Sequence, residues 1–305
     1  MNTGLQDYGT TGLRDHGLRT PRHVSRFTFH VSRNTFNAFT LLELLTVIAI
    51  IGILAAIALP TINNFKPDMA GVAGRQMLDA VNRARQLAIS QRTSVYIVFV
   101  PASFWTDPAY NAGWSQVDLD KAKKLFDKQL IGYNYVSLRS VGDQPGRPAP
   151  RYWSSWKTLP QGALIPLQKF VWNNRASPVP VLNIYTNGNP APAFQVFGFN
   201  TNNNIPFPSE DTPPKPGGSL PVYVTLPYIA FNYLGQLVDA HNQPLKANEL
   251  IPLAKGGVGS GQDAAGNPHP PAVVEQPPGN ATNSYNLVNI DWVTGRARIE
   301  RPQIQ

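Results

Sequence analysis

Residues 38–60 read AFTLLELLTVIAIIGILAAIALP, and between Phe39 and Pro60 the only charged residue is Glu43. As a helix rising 1.5 Å per residue, these 22 positions reach about 33 Å, against a bilayer hydrocarbon core of about 30 Å. The segment is therefore expected to cross a membrane as a single helix. A charged carboxylate at the centre of such a helix costs about 2.5–3.5 kcal/mol, so Glu43 calls for an explanation.

What precedes the run is basic and has no structural period. TGLQDYGT is echoed by TGLRDHGL, HVSR occurs at 23–26 and again at 30–33, and Arg14, Arg19, Arg22, Arg26 and Arg33 face only Asp7 and Asp15. Residues 1–38 read as a disordered leader. Few charges follow the run, Lys66 and Asp68 being the nearest. Positive-inside logic then keeps the leader in the cytoplasm and sends the remainder outward. The net charge of +8 is partly the leader's, and what remains is no nucleic-acid signature by itself. The absence of cysteine excludes disulfides, thiol catalysis and cysteine-bound metals.

Three readings fit the run. A secretory signal peptide would end at the small-x-small site Ala56-Ile57-Ala58, with cleavage after Ala58. A plain anchor would stay uncut. Neither uses Glu43. The segment resembles the N-terminal cleavage and methylation motif of type IV pilins and type II secretion pseudopilins, with Phe39, Thr40, Leu41, Leu42, Glu43, Gly52 and Pro60 at matching positions. The resemblance implies cleavage between Ala38 and Phe39 and N-methylation of Phe39 by a prepilin peptidase-methyltransferase. Ala38 stands where the family usually has glycine, and is small enough for a pocket that rejects bulk. The amine freed at Phe39, with a pKa of about 7.7–8.0, would neutralise Glu43 of a neighbouring subunit. On this reading Glu43 is unpaired in the monomer and pairs on assembly.

The helical pattern continues past Pro60, with apolar residues at Ile62, Phe65, Met69, Val72, Met77, Val81, Ala84 and Ala88. Kinks are expected at Gly52, Pro60 and Pro67. Residues 61–93 thus read as the amphipathic continuation of the helix and 94–305 as a periplasmic or extracellular β-rich domain. Strands are expected at 94–100, 133–140, 181–186, 193–199, 222–226, 228–238 and 285–293, half-buried and alternating. DLDKAKKLFDKQL (118–130) has the spacing of a surface helix. Gly/Pro-rich loops are expected at 200–221 and 254–283, eleven of the thirty residues in the latter being Gly or Pro. The fold class is α+β, the pilin-like lollipop of one long N-terminal helix, first half transmembrane, packed on an antiparallel sheet.

Three further segments, AVNRARQLAISQRTSVYIVFVP (80–101), IAFNYLGQL (229–237) and VNIDWVTGRARIE (288–300), resemble the H-class minor pseudopilins. The expected function is a structural subunit, a minor pilin or pseudopilin, of a type II secretion pseudopilus or type IV pilus in the bacterial inner membrane. Its partners would be other pilin subunits and the processing peptidase. No enzyme signature stands out: His241 and His269 lie outside any zinc-protease spacing, GVGSG (257–261) misplaces its serine, and Asp118 and Asp120 lack the other ligands of a calcium loop. No cofactor and no metal are expected. Gly295-Arg296-Ala297-Arg298 resembles a motif of DNA-binding minor pilins, and arginines two apart on a strand share a face. DNA capture is the alternative, less favoured than arginines lying over a sheet.

Overall fold

The computed structural model describes residues 40–64, 68–111, 115–143, 150–171, 178–185, 191–207, 223–283 and 286–301. The chain divides into two compact units, Met1–Lys66 and Pro67–Gln305. In the first, helix α1 (Leu41–Asn64) runs on through positions 52 and 60. Among the described residues no helix is long and apolar enough to cross a membrane. The described side chains of α1 stop at Leu54, and Leu41–Leu54 spans only about 21 Å as helix.

The single helix expected across 39–93 is two helices. Helix α2 (Met69–Ser90) belongs to the second unit, and residues 65–67 lie outside the described ones. Pro67 sits between them in the sequence, and a proline biases the residue before it away from the helical region. Following α2 come β1 (Val95–Phe99), α3 (Pro108–Asn111), α4 (Gln116–Lys123), β2 (Gly132–Ser137), β3 (Arg151–Tyr152), β4 (Lys157–Thr158), β5 (Ala163–Leu164), β6 (Leu182–Ile184) and β7 (Phe194–Val196). Then follow β8 (Asn200–Pro206), β9 (Tyr223–Phe231), β10 (Leu237–Val238), β11 (Glu249–Val258), β12 (Val273–Glu275), α5 (Asn280–Asn283), β13 (Asn286–Ile290) and β14 (Ala297–Glu300).

The strands build a sheet ordered β10-β9-β1-β2-β3, with β4 on β2 and β8 on β9. A second sheet is ordered β12-β11-β13-β14 with β5 on β11, and β6–β7 form a separate hairpin. Every named strand pair is antiparallel. The unit is thus α+β, as the helical stripe and the β-rich runs led one to expect.

Helix α2 packs on β1 and β9 of the first sheet and on β11, β13 and β14 of the second. It comes close because its inner face is small: Ala70, Ala73, Gly74, Ala80, Ala84 and Ala88 are buried beside Met77 and Val81. A Cβ on Gly74 would lie 3.5 Å from Ile299. Val72, assigned to this face by its spacing, is 44% exposed; the true face is drawn by alanines that a hydrophobic count undervalues.

Strand β1 is buried on both faces rather than half-buried. Val95, Ile97 and Phe99 enter the core under α2, whereas Tyr96, Val98 and Val100 enter a second core with Phe104, Phe126 and Tyr228. Two cores on opposite faces are why its sequence is a continuous apolar run. The runs at 222–226 and 228–238 merge into β9 across Pro227, which lies opposite Thr201 and beyond the last β1 pairing, Val98 with Tyr228. Proline's missing donor therefore costs no bond to β1.

Two loop expectations and one helix are corrected. Residues 200–206 are strand β8, and 254–258, 273–275 and 280–283 belong to β11, β12 and α5. The edge at 254–283 is closed by Asn280, whose buried amide accepts from the Lys255 N–H and donates to the Lys255 carbonyl, both at 2.7 Å. The helix read at 118–130 ends at Lys123, after which Phe126–Lys128 is a 3-10 turn that buries Phe126.

Candidate functional site

Helix α1 opens with a Thr-x-x-Glu sequence, and its geometry is a capping box. The Glu43 carboxylate accepts from the Thr40 N–H at 3.0 Å and the Thr40 hydroxyl at 2.9 Å, while the Glu43 N–H donates to that hydroxyl oxygen at 3.2 Å. A carboxylate here also faces the positive end of the helix dipole. Glu43 thus has hydrogen-bond partners on Thr40, while it stays exposed. The signal was present in the sequence, since Thr or Ser three residues before Glu at the head of an apolar run is a helix start. Beyond the cap, the large apolar side chains from Leu41 (82%) to Leu54 (60%) are exposed. Apolar side chains exposed together along one helix mark a surface that another apolar surface can cover. Ala38 and Phe39 lie outside the described residues, and Gly52 has open space where a Cβ would go.

Arg296 and Arg298 lie at the β13–β14 hairpin, both exposed. The turn is held by Asp291, whose carboxylate accepts from the Thr294 N–H at 2.7 Å and the Thr294 hydroxyl at 2.8 Å. Those bonds hold the Asp291 carboxyl below its ordinary pKa. Gly295 follows with φ +62°. Arg298 donates through Nε to Glu300 at 2.5 Å, and Glu300 also accepts from Asn289 at 3.2 Å. One of the two arginines is thus engaged by a carboxylate on its own strand. Arg301, a further basic candidate, is 4.0 Å from Asp68, which also pairs with Lys255 at 2.9 Å.

The remaining sequence candidates have structural partners. Ser115 caps α4 by accepting from the Asp118 N–H at 3.3 Å and donates its hydroxyl to the Asp118 carboxylate at 2.6 Å. Asp120 pairs with Lys123 at 3.3 Å. Ser260 of GVGSG donates to Asp127 at 3.0 Å, pinning its loop to the 3-10 turn. His269 Nδ1 is 2.7 Å from its neighbour's carbonyl at Pro270. Among the described residues no cluster of His, Asp and Glu could hold a metal.

One feature escaped sequence reading. Lys169 is fully buried, its ammonium bonded to Glu249 and to the Phe197 carbonyl at 2.7 Å, and lying 4.5 Å from the Phe199 ring centre. Burial pulls its pKa below the ordinary lysine value, against the nearby Glu249 carboxylate. Eighty residues separate the pair in sequence, so no local pattern announces it.

Residues 33–59 match the family model of the prokaryotic N-terminal methylation motif. No curated protein and no solved structure matches the chain. The matched stretch contains the capping box of Thr40 and Glu43 and the exposed face of α1 as far as Leu54. The chain thus bears, over residues 33–59, the prepilin-type methylation motif of type IV pilins and pseudopilins.

Proposed function

We propose that the chain is a structural subunit of a type II secretion pseudopilus or a type IV pilus. Prepilin peptidase would cut it before Phe39, and the helix from Thr40 onward would be its assembly element. The observation that carries this is the coincidence of the methylation motif with a helix whose large apolar side chains from Leu41 to Leu54 are exposed. Before assembly, the run 39–60 would hold the protein in the inner membrane, leader inside and the second unit outside. After assembly, subunits packed around it would cover the same apolar surface. The finer reading, an H-class minor subunit, is supported by the segments 80–101, 229–237 and 288–300, which form the α2–β1 connection, the β9–β10 hairpin and the β13–β14 hairpin. The protein acts here as a building block, not a catalyst. DNA capture through Arg296 and Arg298 is less favoured because Glu300 already engages Arg298.

Intact mass of the protein recovered from its native membrane tests this directly. The expected species is N-methyl-Phe39 followed by the rest of the chain, 267 residues of the original 305. A mature start at Leu59 would instead make it a secreted soluble protein, and an uncut chain a plain anchor.

A further inference from the structure

Four strands of the first sheet begin or end together: β1 starts at Val95, β2 ends at Ser137, β3 starts at Arg151 and β10 ends at Val238. The register aligns them, Val95 facing Ser137 and Phe231, Ser137 facing Arg151, and Phe231 facing Leu237. Beside this end lies a cavity of about 670 Å³, a size that takes a small organic molecule. Its wall is part apolar, from Leu138, Pro150 and Tyr223, and part polar, from Arg139, His241 and Asn242.

The wall is braced on both sides. After β10, Asp239 holds a turn: its carboxylate accepts from the His241 N–H at 2.9 Å and the Gln243 N–H at 2.8 Å, and its carbonyl from the Asn242 N–H at 3.0 Å. Asn242 has φ +60°, a left-handed conformation that asparagine adopts more readily than most residues. The Ser94 hydroxyl donates to Asn242 Oδ1 at 2.7 Å and orients the amide, while the Thr93 hydroxyl donates to the Arg139 carbonyl at 2.7 Å. On the other side, the Tyr152 hydroxyl donates to the Pro206 carbonyl at 2.6 Å, and Pro206 pairs with Tyr223. Strand β3 thereby holds in place the strand pair that carries Tyr223.

Among the described residues, three donors of this wall have no hydrogen-bond or carboxylate partner: the Arg139 guanidinium, the His241 ring and Asn242 Nδ2. Asp239, the carboxylate closest to them in sequence, does not line the cavity, and its Oδ1 serves its own turn. A surplus of donors, one of them permanently cationic, beside an apolar wall suits an anion with an apolar body. Hydrogen bonds to a charged group are roughly twice as strong as neutral ones, so the anionic end would set the orientation. We infer that this cavity binds a small organic carboxylate, its anionic end on Arg139 and Asn242 and its aromatic or hydrocarbon body on Leu138, Pro150 and Tyr223. The site lies wholly in the second unit and goes beyond the proposed filament role.

The probe that tests this is 4-azidobenzoate, photolysed with the detergent-solubilised full-length chain and located by peptide mass. Label is expected on the peptides that carry Leu138 or Tyr223, suppressed by excess benzoate but not by the same concentration of neutral benzyl alcohol. Arg139→Gln, at an exposed position, should cut this labelling several-fold. Asn242→Asp keeps an acceptor for Ser94 and a residue type that tolerates the positive φ, but sets a carboxylate where the donor was. It should cut the labelling likewise, whereas Lys123→Gln on α4 should leave it unchanged. Labelling that both site variants retain, label confined to α1, or equal competition by benzyl alcohol overturns the inference. None of these outcomes alters the mature mass, so the filament role stands or falls separately.

Discussion

Gly235 and Gly295 meet so closely that neither hairpin turn could be where it is with a side chain on Gly295. Its φ of +62° is one that L residues adopt at a cost of about 1–2 kcal/mol, and its Cβ would sit 2.0 Å from the Gly235 oxygen. Gly295→Ala should therefore destabilise the second unit by about 2 kcal/mol or more, lowering Tm by roughly 4–8 °C. Gly257→Ala, with open space around its Cβ and no positive φ, should change Tm little. Equal melting of the two variants would show that the docking of the turns contributes nothing. The glycine of the Gly-Arg-x-Arg sequence is accounted for by this contact, without reference to any ligand.

Lys169 and Glu249 should behave as a unit. Removing one partner of a buried pair leaves the other's charge uncompensated, at a cost of about 3–5 kcal/mol, whereas replacing both with apolar residues is often neutral or stabilising. Lys169→Met should sharply lower the urea midpoint of the fragment 67–305, which contains both cores. Lys169→Met combined with Glu249→Leu should recover most of the loss. Additive losses in the double variant would mean that the two side chains do not interact.

What the sequence made legible follows from the range of the forces involved. The β9–β10 and β13–β14 hairpins are local, written in Asn232, Gly235, Asp291 and Gly295, and their segments were identifiable beforehand. The helix start at Thr40 was equally local. The burial of β1 on both faces was not, because its second face is covered by Phe126 and Tyr228, brought in from distant segments. Strand β11 was hidden for the opposite reason: Gly256 and Gly257 read as loop, and distant strands β5, β12 and β13 together with Asn280 hold it extended. At the candidate site, the motif, Glu43 and the Thr-x-x-Glu spacing that brings Thr40 to it are all local and legible in the residues alone. The Lys169–Glu249 pair depends on tertiary contact and could not have been foreseen.

Asp68 links the start of α2 to Lys255 on β11 and to Arg301 just after β14. Partial burial raises its pKa, but the Lys255 ammonium, the Gly71 N–H and the Arg301 guanidinium outweigh this and leave it below the ordinary aspartate value. A carboxylate depressed in the folded state contributes stability above its unfolded pKa of about 3.9 and loses that contribution as pH falls through the folded value. Wild type should therefore melt above Asp68→Asn at pH 7, and the gap should close as pH is lowered below the unfolded value of about 3.9. A gap independent of pH in thermal melts would remove the charge from the explanation.

Arg296 and Arg298 together supply at most about two phosphate contacts, and Glu300 competes for one of them. The fragment 67–305 should not retard duplex DNA at physiological salt, and Arg296→Ala with Arg298→Ala should leave its electrophoretic behaviour toward DNA unchanged. Micromolar retardation that disappears in the double variant, with a salt slope of about two counterions lost, would promote DNA capture to the leading function.

Glu43 now has two possible roles, and three substitutions separate them. Thr40→Ala removes the hydroxyl of the capping box at a cost of about 1 kcal/mol to the helix, yet leaves the charge of Glu43 in place. Glu43→Gln preserves the box, since glutamine also serves at the third helical position, but removes the charge. Glu43→Ala removes both. All three should be processed and reach the membrane, because none adds a charge to the apolar run. If Glu43 pairs with the amine of a neighbouring Phe39, Glu43→Gln and Glu43→Ala should enter filaments several-fold less well than wild type, with Thr40→Ala close to normal. If its only task is to start the helix, Thr40→Ala should be impaired and Glu43→Gln should assemble normally. The fraction of subunit crosslinked to other pilins in intact cells reads the difference, and normal assembly of Glu43→Gln would refute the pairing role while leaving the capping box as the reason for the glutamate.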